Sequence, residues 1–131
     1  MRRASSLLFV IFLFYEATAR AEWLPAGGDD YSKIFLDSQS PRQNADKTVF
    51  VRALTDYDPK TPKSFKRLEG GLSEIESVIF DCARDAYRSE GGVWYVGHMA
   101  TGAVSRHYGA ATWAKVPSYY AGLFTKVCAA P

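Results

Sequence analysis

The chain has 131 residues, of which 47% are hydrophobic, with 16 basic and 14 acidic side chains. This length suits one domain with a single hydrophobic core. Residues 1–21 contain three arginines and one glutamate, so 13 basic and 13 acidic side chains remain after them. A net charge near zero argues against a nucleic-acid-binding protein, because phosphate contacts require an excess of basic residues.

The N-terminus has the three parts of a secretory signal peptide. Two arginines follow Met1, residues 7–15 are an unbroken apolar run, and Ala19 and Ala21 occupy the −3 and −1 positions of a cleavage site. We therefore predict export, cleavage after Ala21, and a single domain at residues 22–131; the alternative is a buried N-terminal helix or strand. No later apolar run reaches 18 residues, so no membrane span is predicted. The residue immediately after the predicted cleavage site is Glu22 and not a cysteine, so no lipid anchor is expected.

The middle of the chain shows the patterns of β-strands and turns. Residues 47–57 are the clearest case, because Val49, Val51 and Ala53 share one face of an alternating segment. Residues 58–71 contain prolines, glycines and charges that are typical of a long connection. Gly91 and Gly92 predict a hairpin turn. The predicted strands are residues 31–37, 47–57, 72–82 continuing to 89, 93–98 and 103–108.

The C-terminal part changes to a helical period. Tyr120, Leu123, Phe124 and Val127 fall at positions i, i+3, i+4 and i+7, which predicts one apolar face of a helix at about residues 119–129. Ser118 is the predicted N-cap of this helix. The economical architecture is an α+β fold, in which an antiparallel β-sheet of about five or six strands carries one C-terminal helix packed on it.

Cys82 and Cys128 are the two cysteines of the chain. Two cysteines in an exported protein favour a disulfide, whereas two free buried thiols are the alternative. Closing a loop of this length would stabilise the fold by about 4 kcal/mol in the chain-entropy model. This bond would tie the strand at residues 73–82 to the predicted helix.

The candidate residues for chemistry do not form a recognisable catalytic or metal-binding motif. His98 and His107 are the two histidines, and neither belongs to a spaced metal motif. Bridged cysteines cannot act as nucleophiles or zinc ligands. We therefore predict no metal, no cofactor and no enzymatic activity. An enzyme would need His98 or His107 to meet a carboxylate in a pocket.

Three pairs of neighbouring carboxylates deserve a separate interpretation. Asp29 with Asp30, and Asp56 with Asp58, lie in or beside predicted turns, where aspartates commonly bind the backbone. The third pair is Glu74 and Glu76, two residues apart on one face of a predicted strand. A solvated face is the preferred interpretation of this pair over an acid–base pair.

Two features of the sequence are candidates for binding a partner. A cluster of four positive charges lies on the predicted long loop, formed by Lys60, Lys63, Lys66 and Arg67. These side chains would dock an acidic polysaccharide or protein patch, or would be solvated loop charges. The second feature is an aromatic patch of Trp113, Tyr119 and Tyr120, for which burial of at least one ring is the alternative.

Several short motifs together resemble the surface-adhesin protein E-like family of bacterial exported proteins. They are Trp23, FLD at residues 35–37, VFVRALTDY at 49–57, FDCAR at 80–84 and KVC at 126–128. The resemblance implies an antiparallel sheet with a C-terminal helix and a disulfide between them. The founding member of the family resembles an adhesin that binds host matrix, and most relatives have no assigned role, so the resemblance implies adhesion.

The resemblance leaves two functions open. The first is an exported surface adhesin or interaction protein that binds host or envelope macromolecules. The alternative is a small soluble periplasmic protein with a structural or accessory role in the envelope, which the absence of a lipidation cysteine favours. The partner would be a protein or an acidic polysaccharide, the location periplasmic or at the cell surface, and a homodimer remains open.

Overall fold

The computed structural model describes residues 22–58 and 71–129. The predicted signal peptide and the four cations at residues 60–67 lie outside these ranges. The described residues form an antiparallel β-sheet with one α-helix and a disulfide, which confirms the predicted fold class. The helix, α1, is Ala121–Cys128, and the strands are β1 Trp23–Asp29, β2 Ser32–Asp37, β3 Arg42–Gln43, β4 Val49–Tyr57, β5 Ser73–Asp81, β6 Ala86–Tyr95, β7 Val104–Tyr108 and β8 Ala114–Lys115.

The strands pair in the order β1-β2-β4-β5-β6-β7, and every pairing is antiparallel. The short strand β3 pairs with β4, and β8 pairs with the beginning of β6. Since β5 occupies one side of β6, both β7 and β8 lie along its other side. Among the described residues, β1 and β7 are therefore the edges of the main sheet.

One face of the sheet packs against the C-terminal segment and forms the hydrophobic core. Val51 and Ala53 on β4 are fully buried on this inner face, as the alternating sequence predicts. In the register of β4 and β5, Val51 lies opposite Val78, which is buried in the same core. Leu123 of α1 packs into this core, which confirms the predicted apolar face of the helix.

The helix begins later than the sequence predicts. A 3₁₀ turn occupies Ser118–Tyr120, α1 begins at Ala121, and no side chain caps its N-terminus, so the predicted Ser118 cap is wrong. The helix packs closely against β1 because glycines face each other there. A Cβ atom on Gly122 would lie 2.9 Å from the Ala26 carbonyl oxygen, so a larger residue would push the helix away from β1.

A disulfide joins Cys82 to Cys128, as the sequence predicts, with the two Cα atoms 5.6 Å apart. Cys82 follows β5, and Cys128 is the last residue of α1. The bond therefore connects the end of a central strand to the end of the helix that covers it. Residues 83–127 lie between these two covalently joined positions.

The predicted position of the hairpin turn is wrong. The turn between β5 and β6 lies at residues 82–85, whereas Gly91 and Gly92 lie inside β6. The Asp81 side chain favours the observed turn, because its Oδ1 accepts a hydrogen bond from the Ala83 amide at 3.2 Å. Glycine pairs occur in bulged strands as well as in turns, and β6 departs from regular pairing with β5 beside Gly91.

Candidate functional site

The inner face of the sheet carries two carboxylates. Glu74 and Glu76 alternate in phase with Val78 on β5, so they point toward the core side of the sheet. Glu74 is only 9% exposed. The interpretation of this pair as a solvated face is therefore wrong. The in-phase Val78 and Phe80 were the signal in the sequence that would have placed the pair on the inner face.

Hydroxyl groups from separate parts of the chain satisfy these two carboxylates. Tyr57 Oη on β4 donates a hydrogen bond to Glu74 Oε1 at 2.8 Å. Tyr120 Oη, from the turn before the helix, donates to Glu76 Oε1 at 2.5 Å. Ser89 Oγ on β6 donates to Glu76 Oε2 at 2.9 Å. A buried carboxylate is stable only when its oxygens find such donors, so these contacts explain how the pair is tolerated.

Tyr108 on the edge strand β7 joins the two carboxylates. Its Oη lies 2.9 Å from Glu74 Oε2 and 3.0 Å from Glu76 Oε2. Because a tyrosine has one hydroxyl hydrogen, both contacts are full hydrogen bonds only when one of the carboxyl groups carries a proton. We call Glu74, Glu76, Tyr57, Tyr108 and Tyr120 the carboxylate–tyrosine cluster.

The electrostatics of the cluster place that proton on Glu74. Burial raises the pKa of Glu74 to about 7, and the negative charge of Glu76 acts in the same direction. Hydrogen bonds from Tyr57 and Tyr108 oppose this rise. Burial likewise raises the pKa of the Tyr57, Tyr108 and Tyr120 hydroxyls. Near neutral pH, a protonated Glu74 can therefore donate to Tyr108, which then donates to Glu76.

The glycine pair of β6 makes room for Tyr108. Gly92 lies opposite Tyr108 in the strand register. A Cβ atom on Gly92 would lie 2.5 Å from Tyr108 Oη and 2.6 Å from the Ile75 carbonyl oxygen. Gly91 has φ of 106°, in the left-handed region that favours glycine. The two glycines therefore let the Tyr108 side chain cross β6 and reach β5.

A second distinctive region is the connection between β6 and β7, residues 96–103, which we call the β6–β7 loop. Met99 and Ala100 have φ of 52° and 57°, which is uncommon for residues other than glycine. Ser73 Oγ donates to the Gly97 carbonyl oxygen at 2.6 Å and accepts from the Ala100 amide at 2.9 Å. Asp56 Oδ1 accepts a hydrogen bond from the Met99 amide at 3.0 Å. Contacts to β4 and β5 thus hold a strained loop in place.

The β6–β7 loop and the start of β7 expose apolar side chains. Val96 is 54% exposed, Met99 37% and Val104 48%. The fourth large hydrophobic side chain exposed among residues 22–58 and 71–129 is Trp113, which lies elsewhere and packs against the Arg88 guanidinium. Exposed apolar side chains that are grouped together mark interaction surfaces more often than single ones do.

His98 lies in the same loop and pairs with a carboxylate. Its Nδ1 is 2.9 Å from Asp56 Oδ1, the oxygen that also binds the Met99 amide. The contact therefore serves to hold the loop. His98 and Asp56 also line one pocket, so the pairing of histidine and carboxylate that an enzyme would need is present here, whereas His107 is exposed on β7. The absence of enzymatic activity therefore stays a prediction.

A pocket of about 340 Å³ opens beside His98. Four aspartates share it with two basic side chains, and these six residues are Asp29, Asp30, Asp56, Asp58, Lys33 and His98. Asp29 Oδ1 accepts from the Tyr31 amide at 2.9 Å, which confirms its predicted role in a turn. Asp56 instead lies within β4. In the described part of the chain, no group of histidine, cysteine or carboxylate side chains is arranged to hold a metal ion.

The structure describes one of the two predicted binding features. The segment that contains Lys60, Lys63, Lys66 and Arg67 lies outside the described residues, although the flanking strands β4 and β5 place its ends near the β6–β7 loop. The predicted aromatic patch is divided, because Tyr120 is fully buried while Trp113 is exposed. Tyr119 is half-buried, and its ring centroid lies 4.7 Å from that of Tyr120.

The fold and the site define a small disulfide-bonded α+β domain with a polar cluster in its core and an exposed apolar loop at one end. The sequence profile of the family described as surface-adhesin protein E matches residues 23–129. The chain belongs to this family, and membership supports a surface adhesin-like role. Comparison with curated proteins and with solved structures gives no significant match. No helix among the described residues is long and apolar enough to cross a membrane.

Replacing Gly92 with alanine tests the space that the cluster requires. The new methyl group would collide with Tyr108 and with the Ile75 carbonyl, so we expect the free energy of unfolding to fall by at least about 1 kcal/mol. Gly109→Ala is the matched control, because no atom lies within 4 Å of a Cβ there. Urea denaturation of both variants measures the difference, and equal stability of the two would contradict this account.

Glu74→Gln tests the proton on Glu74. The pKa of Glu74 rises from its ordinary value of 4.5 to about 7 in the folded protein. The protonated carboxyl group therefore contributes its full stabilisation of the fold below pH 4.5, and this contribution is lost as the pH rises to about 7. For one proton the slope is at most about 1.4 kcal/mol per pH unit. Glutamine stays neutral, so we expect the stability of the variant relative to the wild type to increase across this window.

Urea denaturation at several pH values measures that relative stability. Glu90→Gln is the control, since Glu90 is a carboxylate on the surface of the same sheet that pairs with Arg88. We expect the stability of the Glu90→Gln variant relative to the wild type to stay constant from about pH 5 to about 7, because a surface ion pair contributes little to the free energy of unfolding. A flat difference for Glu74→Gln as well would show that Glu74 binds no proton in this range.

Proposed function

We propose that the chain is an exported, non-enzymatic adhesin-like protein that binds a macromolecular partner through the β6–β7 loop. The observation that carries this proposal is the exposure of Val96 and Met99 on the β6–β7 loop and of Val104 at the start of β7. Burial of such side chains against a partner provides the main favourable free energy of most protein associations. Family membership supports adhesion as the purpose of this contact.

The fixed conformation of the β6–β7 loop also favours binding. The contacts of Ser73 and Asp56 hold Met99 and Ala100 in an uncommon backbone conformation before any partner is present. A preorganised loop loses little conformational entropy on association, so more of the contact energy appears as affinity.

The predicted basic segment adds a second contact to this proposal. Lys60, Lys63, Lys66 and Arg67 lie between β4 and β5, whose ends border the β6–β7 loop. We propose that these cations attract an acidic polysaccharide or an acidic protein surface. Exposed charges give weak attraction that salt screens, since the Debye length falls from about 10 Å at 0.1 M to about 3 Å at 1 M.

A second candidate function is an accessory role in the envelope of the same cell. The same loop would then bind a partner of the periplasm instead of a host molecule. The two candidates differ in the source of the partner and share the same contact surface.

Replacing Val96 and Met99 together with serine tests the loop. Because both side chains are already exposed, we expect the melting temperature to stay unchanged while partner binding weakens at least about tenfold. Trp113→Ser is the matched control, since Trp113 is a large exposed hydrophobic residue away from the loop. Binding is measured against immobilised extracellular-matrix proteins and, separately, against the envelope fraction of the native host.

The two arms of this experiment separate the two candidate functions. Loop-dependent binding to matrix proteins supports adhesion, whereas loop-dependent binding confined to the envelope fraction supports the accessory role. If the serine variant and the Trp113→Ser control bind equally well in both arms, the loop is not the contact surface.

Replacing Lys60, Lys63, Lys66 and Arg67 with serine tests the basic segment. We expect the wild type to bind heparin weakly and to elute at moderate salt, and the variant to lose this binding without a lower melting temperature. Replacement of Arg84 and Lys115, which are exposed at the opposite end of the sheet, is the control. If the variant with all four cations replaced still binds heparin, and does so at high salt, the polyanion site lies elsewhere.

A further inference from the structure

Three members of the carboxylate–tyrosine cluster, Glu74, Glu76 and Tyr108, line a pocket that the proposed function does not use. The pocket has a volume of about 300 Å³ and is lined by Glu74, Glu76, Trp94, Arg106 and Tyr108. Trp94 lies opposite Arg106 in the pairing of β6 with β7 and opposite Glu74 in the pairing with β5. The pocket therefore lies on the inner face of the sheet, beside the edge strand.

We propose that this pocket binds one ring of a neutral saccharide. The apolar face of a sugar ring packs against an aromatic side chain, and Trp94 provides such a ring. Sugar hydroxyl groups both donate and accept hydrogen bonds, so they match a site that offers carboxylate acceptors and guanidinium donors together. The volume is at the lower end of the range of ligand pockets, about 300–1,000 Å³, which suits one ring.

The charges of the lining favour a neutral ligand over an ionic one. A cationic ligand would be repelled by Arg106, and an anionic ligand would be repelled by Glu76. Arg106 is exposed and forms no ion pair with another residue in the described ranges. Its guanidinium donors are therefore available to ligand oxygens.

The carboxylates keep acceptor capacity for a ligand. A carboxylate oxygen can accept about two hydrogen bonds. When Glu74 donates its proton to Tyr108, its other oxygen, Oε1, accepts from Tyr57 and retains a further acceptor position. Glu76 Oε1 likewise has one tyrosine partner, Tyr120. Glu74 is nine-tenths buried, and its carboxyl group lines the pocket.

Direct contacts hold the residues around the pocket in place, although apolar residues could fill the same space. Tyr57 stacks on Trp94 with ring centroids 5.3 Å apart, and its hydroxyl fixes Glu74. Replacing buried charged groups with well-packed apolar residues is often neutral or stabilising. Carboxylates within an otherwise apolar core are expected at a functional site, where binding or chemistry requires polar groups. The pocket and the β6–β7 loop use different side chains, so each proposal can fail without the other.

Nuclear magnetic resonance of the folded protein tests the site directly. The chain has three tryptophans, Trp23, Trp94 and Trp113, so three indole N–H signals report on three separate places. Glucose, galactose, mannose and N-acetylglucosamine are added one at a time to ¹⁵N-labelled protein. We expect at least one of them to shift the Trp94 signal saturably, with affinity in the millimolar range, while the other two indole signals stay in place.

Arg106→Ala is the variant that links the shift to the pocket. Loss of its hydrogen bonds to the sugar should weaken binding at least about fivefold. Arg106 is exposed, so the variant is expected to keep the wild-type fold, and Arg84→Ala is the control at an exposed arginine elsewhere. Methylammonium and acetate are tested as the cationic and anionic probes.

Three results would overturn the proposal. One is that none of the four sugars moves the Trp94 signal. Another is that methylammonium or acetate moves this signal more strongly than any sugar, which would make the ligand ionic. The third is that Arg106→Ala and Arg84→Ala bind sugar equally well.

Discussion

The hydrogen bonds of Glu74 and Glu76 are the interaction on which the arrangement of this domain depends. Two carboxylates on the inner face of β5 would be strongly unfavourable without partners. The partners come from β4 through Tyr57, from the edge strand β7 through Tyr108, and from the turn before the helix through Tyr120. One polar cluster thus fixes the positions of a central strand, an edge strand and the C-terminal segment relative to β5.

The same strand also connects the core to the exposed end of the sheet. Ser73 directly precedes Glu74 and binds both the Gly97 carbonyl and the Ala100 amide of the β6–β7 loop. Asp56 directly precedes Tyr57 and binds the Met99 amide. The residues that hold the loop and the residues that form the buried cluster are therefore neighbours along β4 and β5. A displacement of either strand would disturb both.

The sequence predicted the features that depend on local periodicity, and it failed where distant residues meet. The alternation of residues 49–57 and the helical spacing from Tyr120 to Val127 gave the correct buried faces, because period and burial are directly linked. The disulfide followed from a count of cysteines. Gly91 and Gly92 were misread because turns and strand bulges use the same residue. The alternation with Val78 and Phe80 indicates the inner face for Glu74, but its partner Tyr108 is 34 residues away and no local pattern locates it.

The buried tyrosines also determine how the protein responds to strong base. In the folded state Tyr57, Tyr108 and Tyr120 keep their protons well above the usual pKa of 10, because burial and the nearby carboxylates disfavour the phenolate. The unfolded chain would release these three protons from about pH 10 upward, so stability falls there by as much as about 4 kcal/mol per pH unit. The arrangement that accommodates two carboxylates near neutral pH therefore sets a sharp alkaline limit. The phenolate absorbance of these three tyrosines should appear together with unfolding rather than before it.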